Sequence, residues 1–400
     1  MFEQLSERAA HGLRKRSGSS SKTIQVVRAP LRICPVGAHV DHQAGRLIGM
    51  AIDRALWLAF VPNGERRVRL YSRCFDEQVE LDLAGPLGPA SGHWADFLKG
   101  AVWALRGQGV AVEQGWDGYL DSNTPIGGLS SSAASGLAFL TAFQVAGGRP
   151  WSREENVQMH YRLERQYVGV KVGLNDPTMI SHSIQGHVVH LDCLTDEWRH
   201  LPWGGARQDT WCLLFSGVGR SLTGTPYNRR VEECLEAAAR LVESSGVKTE
   251  AQLALGRIPQ DVFDAYAGRL PENLRRRAEH YYSEVERVDR AAEAWTAGDT
   301  AALGRLMNES CESSIQSYQS GAPPLIELAR IARQAPGCCG CRFSGGGFGG
   351  FCIALVDSER VEETLAYIER EYKARQPQYA QHYQALKCRD ANGLELLEVR

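Results

Sequence analysis

The sequence predicts a mixed α+β fold (α/β in places) in two domains, on three observations. A chain of 400 residues is long enough for two hydrophobic cores. Short apolar runs with strand character mix throughout with longer stretches of helical spacing. The character also changes near residue 200, from strand runs to long helical patterns. Domains are therefore expected at 1–200 and 201–400.

The first 22 residues, "MFEQLSERAAHGLRKRSGSSSK", are polar and charged and lack the apolar core of a signal peptide. "SGSSS" within them reads as a flexible leader. "LWLAFVP" (56–62) and "VRLYSR" (68–73) read as strands with an "NGER" turn between them. "VVHLD" (188–192) and "TWCLLFSG" (210–217) are further strands, joined by the polar connection "TDEWRHLPWGGARQ". Apolar residues recur at helical spacing over 227–245, 274–299 and 322–337, the second of these closing near a glycine. "FCIALVD" (351–357) is a buried strand.

Composition narrows the function classes. With 43% hydrophobic and 23% charged residues the chain reads as an ordinary soluble globular protein. Its 45 basic and 47 acidic residues leave a net charge of -2, which suits neither a nucleic-acid nor a membrane surface. No apolar run reaches the roughly 18 residues of a transmembrane helix. A small diffusible substrate fits better. The 11 cysteines include the cluster "GCCGC" at 337–341, without the paired spacing of a zinc site. Reduced thiols in a cytoplasmic protein are the simplest reading.

Three motifs carry chemistry. In "PIGGLSSSAASGLAF", a glycine turn feeds a helix N-terminus, where free N–H groups and the helix dipole favour an anion, most often phosphate. Gly127 and Gly128 let the backbone approach a ligand, and Ser130, Ser131 and Ser132 offer hydroxyls to phosphate oxygens or a bound magnesium. A serine cap on a core helix is the plainer alternative. No lysine follows the glycines, so this is not a P-loop. The second motif, "APLRICPVGAHVDHQAG" (29–45), crowds Arg32, His39, Asp41 and His42 among apolar residues. Such density suits a site that binds many hydroxyls; a surface loop with salt bridges is the alternative. The third, "RFSGGGFGGFCIALV" (342–355), puts five glycines between Gly345 and Gly350. Close approach to a phosphate or to the first glycine loop would require them; a tight turn before a strand is the other explanation.

In this order, the three motifs resemble those of the GHMP kinase superfamily, and within it the galactokinase-like sugar 1-kinases. The resemblance covers nearly the whole chain. "GLNDPTMISHSIQGHVVHLDC" (173–193) resembles the segment with the catalytic aspartate, and "SGVGRSLTGTPYNRRVEECLEAA" (216–238) the one with a sugar-contacting tyrosine. "ICPVGAHVDHQ", "RAEHYYSEVERV" and "SSIQSYQSGAPPLIELARIARQAPG" are similar to the galacturonokinases of that branch.

The resemblance implies a two-domain fold with the active site in the cleft between the domains, and transfer of the γ-phosphoryl of ATP to a sugar's anomeric hydroxyl. Asp176 matches the catalytic aspartate that accepts or orients the hydroxyl proton. Arg32 matches the arginine that keeps it ionised and stabilises the transferring group. Gly127, Gly128, Ser130, Ser131, Ser132 and Ala133 match the ATP loop; Gly345, Gly346 and Gly347 match the closing glycine loop. Trp94 matches a tryptophan near the nucleotide end, with a core role as the alternative. Glu164, 12 residues before Asp176, matches the glutamate that binds Mg2+ together with one loop serine, here Ser131. His39, Asp41, Gly173 and Tyr227 match the sugar contacts.

One departure from the family pattern bears on substrate, and a second on the pose of Asp176. Galactokinases carry a glutamate, which contacts the sugar's C6 hydroxyl, where this chain has Ala38. A glutamate there would repel a C6 carboxylate, so Ala38 favours D-galacturonate over D-galactose. "NDP" at 175–177 replaces the Met and Gln that usually flank the aspartate. A carboxylate also needs a partner, for which Arg229, Arg230, His42 and Lys171 are the candidates. Galactose phosphorylation is the alternative function. A non-catalytic sugar sensor is a third, against which the intact Arg32, Asp176 and serine loop stand.

Overall fold

The computed structural model describes residues 2–17, 23–219, 226–248 and 252–400. Helix α1 (Phe2–Ser17) precedes strands β1 (Ile24–Val36) and β2 (Arg46–Pro62), which a 3-10 turn at Asp41–Gln43 connects. Then come β3 (Arg67–Ser72), β4 (Glu77–Asp82), α2 (Asp96–Gly107), β5 (Trp116–Ser122), α3 (Ser131–Ala146) and α4 (Arg153–Arg162). A π-helical turn, Leu163–Val168, extends α4 towards α5 (Asn175–His182), followed by β6 (His187–Asp192) and β7 (Glu197–Pro202). The second half holds β8 (Asp209–Phe215), α6 (Tyr227–Ser245), α7 (Gln260–Tyr266), α8 (Glu272–Ala297), α9 (Thr300–Gln316) and α10 (Pro323–Gln334). It ends with β9 (Cys338–Phe343), β10 (Phe351–Asp357), α11 (Val361–Arg375), β11 (Gln384–Cys388) and β12 (Glu395–Val399).

The larger sheet runs β12-β1-β2-β5-β3-β4. β2 is long enough to serve two neighbours: residues 56–62 pair with β5 and residues 46–49 with β6, which in turn pairs with β7. The unbroken apolar run of its second half, from Ala55 on, follows from burial on both faces. Leu56, Leu58 and Phe60 enter the main core beside α2 and α3. Ala55, Trp57, Ala59 and Val61 point the other way, onto Ala9, Ala10 and Leu13 of α1. The second sheet, β11-β8-β10-β9, is antiparallel and packs under α10 and α11.

The expected strands and helices are present, with shifts at their ends. The segment 195–208, expected as a connection, contains β7. This strand pairs only with β6 and leaves Glu197, Trp198 and Arg199 exposed, so it lacks the apolar alternation that marks a strand. The charged N-terminal stretch is helical over 2–17; residues 18–21 of "SGSSS" and 220–225 before Tyr227 lie outside the described residues. The change of character near residue 200 falls at the end of β7, and the chain's last strand crosses back to pair with β1. The 11 cysteines are all free thiols. Among the described residues no group of three or more His, Cys, Asp or Glu side chains could hold a metal ion.

Candidate active site

Ser130 caps α3 in the left-handed conformation, with φ of 63°. That bend, after Gly127 and Gly128 at φ of 135° and 73°, turns the serine loop back over β1. The backbone N–H of Arg32 bonds the Leu129 carbonyl at 3.3 Å. The Ser130 hydroxyl then donates to Oδ2 of Asp176, in the first turn of α5. The other carboxylate oxygen, Oδ1, accepts from Arg32 Nε at 2.7 Å, and Arg32 Nη1 donates to Ser344 at 3.3 Å. Three segments far apart in sequence thus meet on one carboxylate, and a fourth, through Ser344, holds its arginine. Burial opposes the charge on Arg32, but the Asp176 carboxylate outweighs it and holds the guanidinium firmly protonated.

The turn after β1 is fixed by a buried carboxylate. Glu284 Oε1, on α8, accepts from the backbone N–H groups of Gly37 and Ala38 at 2.8 Å each and from Ser310 at 2.5 Å. Burial would raise the Glu284 pKa, but Arg287 and other positive neighbours bring it down to about 2. His280 Nε2 donates to the Ala38 carbonyl at 2.8 Å. His39 then stacks on Tyr318, with ring centroids 4.1 Å apart, and bonds Ser320 at 3.1 Å. Gly173 is required beside Asp41: a Cβ there would lie 2.6 Å from the Asp41 carboxylate. Burial, and then the charge of Asp176, push the Asp41 pKa up to about 6.

Arg32, Ala38, His39, Asp41, Asp176, Tyr227, Gly345 and Gly346 line one cleft, which gathers residues from the second and third motifs. The third motif closes it. A Cβ on Gly350 would stand 3.1 Å from Gly128 Cα, so the first and last glycine loops touch backbone to backbone. Of the two uses open to that glycine run, approach to the first loop is the one the structure contains.

Other expected residues fall outside this lining. Glu164 is buried in the π-helical turn, its Oε2 3.6 Å from His160 Nδ1, and that ring lies against the backbone of Ser132. Trp94 stacks on Phe75 with centroids 5.3 Å apart and donates its indole N–H to Glu77 at 2.7 Å. The four candidate carboxylate partners are occupied otherwise. Lys171 pairs with Glu232, while Arg229 and Arg230 both pair with Glu233. Burial keeps His42 neutral, its pKa lowered to about 3. Sequence reasoning overlooked Arg342, Ser344 and Cys34, of which all but Ser344 line the cleft, and noted Asn175, also in the lining, only as a departure beside Asp176. Arg342 and Ser344 stand directly before the glycine run, where the glycines drew attention away from them.

A serine-capped helix end, a carboxylate held by arginine and hydroxyl, and an interlocked glycine loop define a small-molecule kinase. The model for the GHMP kinases N terminal domain matches residues 96–183, and that for GHMP kinases C terminal matches 291–374. The chain is 38% identical to the galacturonokinase of Arabidopsis thaliana, over 91% of this chain and 90% of that one. It is 33% identical to the galactokinase of Chloroflexus aggregans, over 88% of each. The crystal structure of Lactococcus lactis galactokinase complexed with galactose superposes with a TM-score of 0.88, at 26% identity, covering 96% of this chain and 98% of that one. The chain therefore belongs to the GHMP kinase family, in its galactokinase-like branch of ATP-dependent sugar kinases.

Proposed function

We propose that the protein phosphorylates the anomeric hydroxyl of D-galacturonate, giving galacturonate 1-phosphate. The observation that carries this reading is Ala38. Its methyl group lines the cleft where the branch's galactose enzymes place a carboxylate, and its backbone is held at both ends, by Glu284 and His280. A carboxylate-bearing sugar then meets no opposing charge at that point. The 38% identity to a galacturonokinase agrees.

In this reading Asp41 and Tyr227 bind ring hydroxyls, with His39 and Gly173 shaping the pocket around them. Asp176 takes or orients the proton of the C1 hydroxyl, and Arg32 keeps it ionised. Ser131 and Ser132 present hydroxyls, and Ser130, Ser131, Ser132 and Ala133 backbone N–H groups, to the ATP phosphates at the α3 N-terminus, the Ser130 hydroxyl being given to Asp176. Gly345, Gly346 and Gly347 cover the transferring group with backbone alone. Trp94 belongs to the nucleotide end. The oxygens of Glu164 and Ser131 suit Mg2+, which is held by a few protein oxygens plus substrate phosphates rather than by a protein cage. When bound, Mg2+ would neutralise phosphate charge. We divide the chain near residue 200, into 1–200 with the sugar motif and ATP loop and 201–400 with the helices and closing loop; the end of β7 at Pro202 supports this. A cytoplasmic location fits an ATP-using enzyme with 11 free thiols. No helix among the described residues is long and apolar enough to cross a membrane.

One coupled assay of ATP consumption with D-galacturonate, D-galactose and D-glucuronate, with Mg2+, tests the reading. Galacturonate should give the highest kcat/KM. Ala38→Glu should lower the galacturonate value by ~10-fold or more, about 1.4 kcal/mol of like-charge contact, and galactose much less. Preference for galactose in the unaltered enzyme would sink the substrate assignment.

A further inference from the structure

Arg342, near the end of β9, is only 2% exposed and lines the cleft beside Ala38, His39 and Gly345. Its Nη1 donates to the Cys34 carbonyl at 3.3 Å, while its buried Nε has no hydrogen-bond partner. No carboxylate among the described residues lies within ion-pair distance of it. Its charge reaches Glu284, but that carboxylate is already taken up by two backbone N–H groups, Ser310 and Arg287. A buried guanidinium without a carboxylate partner is costly, and an unpartnered Nε in the wall of a ligand cleft is where a ligand carboxylate resolves that cost. Arg32, the other arginine in the lining, is engaged by Asp176 and Ser344.

We infer that Arg342 is the cationic partner of the substrate's C6 carboxylate. Resting on the uronate reading above, it adds the attractive element to the repulsion that Ala38 removes. The guanidinium offers Nε and an adjacent amino group as a fork, the geometry that a planar carboxylate matches with two parallel bonds. Ala38 makes room for that meeting, because no side-chain carboxylate at that position competes for the fork.

The test is the ratio of kcat/KM for D-galacturonate over D-galactose, at saturating ATP, in the unaltered enzyme, Arg342→Gln and Arg342→Lys. Arg342→Gln should lower the ratio ~100-fold, mainly through the galacturonate KM, as loss of a charge-assisted pair does. Arg342→Lys should recover about tenfold of it, since lysine keeps the charge but not the fork. Thermal unfolding supplies a second reading: galacturonate should raise the Tm of the unaltered enzyme and no longer that of Arg342→Gln, with ATP stabilisation kept. If Arg342→Gln does not fold, a ~10-fold fall of the ratio in Arg342→Lys at unchanged Tm decides for the pairing. A ratio that stays within about threefold, with both sugars losing equally, would overturn it in favour of a packing role at Cys34. Because the change in the ratio is read, the outcome is separable from which sugar the unaltered enzyme prefers.

Discussion

Asp176 is held by two other segments, through Arg32 and Ser130, and its replacement separates chemistry from architecture. Asparagine keeps the shape and can still meet Arg32 and Ser130, but cannot take a proton. Asp176→Asn should therefore cut kcat by ~10²–10⁴, the usual worth of a positioned base, with sugar KM changed a few-fold at most. Steady-state kinetics check this, and near-normal turnover would remove Asp176 from the proton-handling role. Asp41 supports a pH prediction. Its folded pKa is raised to about 6, so it gains a proton as pH falls through that value. The protonated form loses an acceptor for sugar hydroxyls. Sugar KM should thus rise below pH 6, towards a limit of about tenfold per pH unit for one proton. D-galactose, which has no titrating group in this range, is the probe, and Asp41→Asn should flatten the profile. A flat profile in the unaltered enzyme would show that Asp41 stays ionised.

The interlock of the two glycine loops is the feature on which the strand and helix ends depend. Gly350 has φ of 89°, and a methyl group there would press on both Gly127 and Gly128. Gly350→Ala should cost about 1–3 kcal/mol from backbone strain and overpacking, seen as a lower Tm, and should raise the KM for ATP as the serine loop is displaced. An unchanged ATP KM would detach the loop contact from nucleotide binding. At this scale the sequence was legible where one residue type punctuates the chain. The glycines and serines of 127–132 and 345–350 marked their loops, and the long helices α6 and α8 declared themselves by spacing. β7 stayed hidden because a mostly exposed edge strand has no apolar face to display.

Across the whole molecule, the cleft is an assembly of distant parts. Arg32, Asp176 and Ser344 are separated by 144 and 168 positions, so their meeting depends on packing that no local pattern encodes. The pairing of Arg32 with Asp176 could be expected because their flanking motifs resemble a known family. Arg342 could not, since what distinguishes it is a missing partner, and a missing partner is visible only once its neighbours are in place. Three of the carboxylate candidates named from sequence are already paired, unseen for the same reason: Glu232 and Glu233, the partners of Lys171, Arg229 and Arg230, were never weighed against them.

The last strand also sets an order of events in synthesis. β12, Glu395–Val399, runs along β1 with Ile24 opposite Val399, so the strand that carries Arg32 gains its outer neighbour only from a segment translated long after it. Until then the growing chain displays an open sheet edge on its first-made domain, a surface that invites pairing with other chains. A product stopped before Glu395 keeps that edge unpaired.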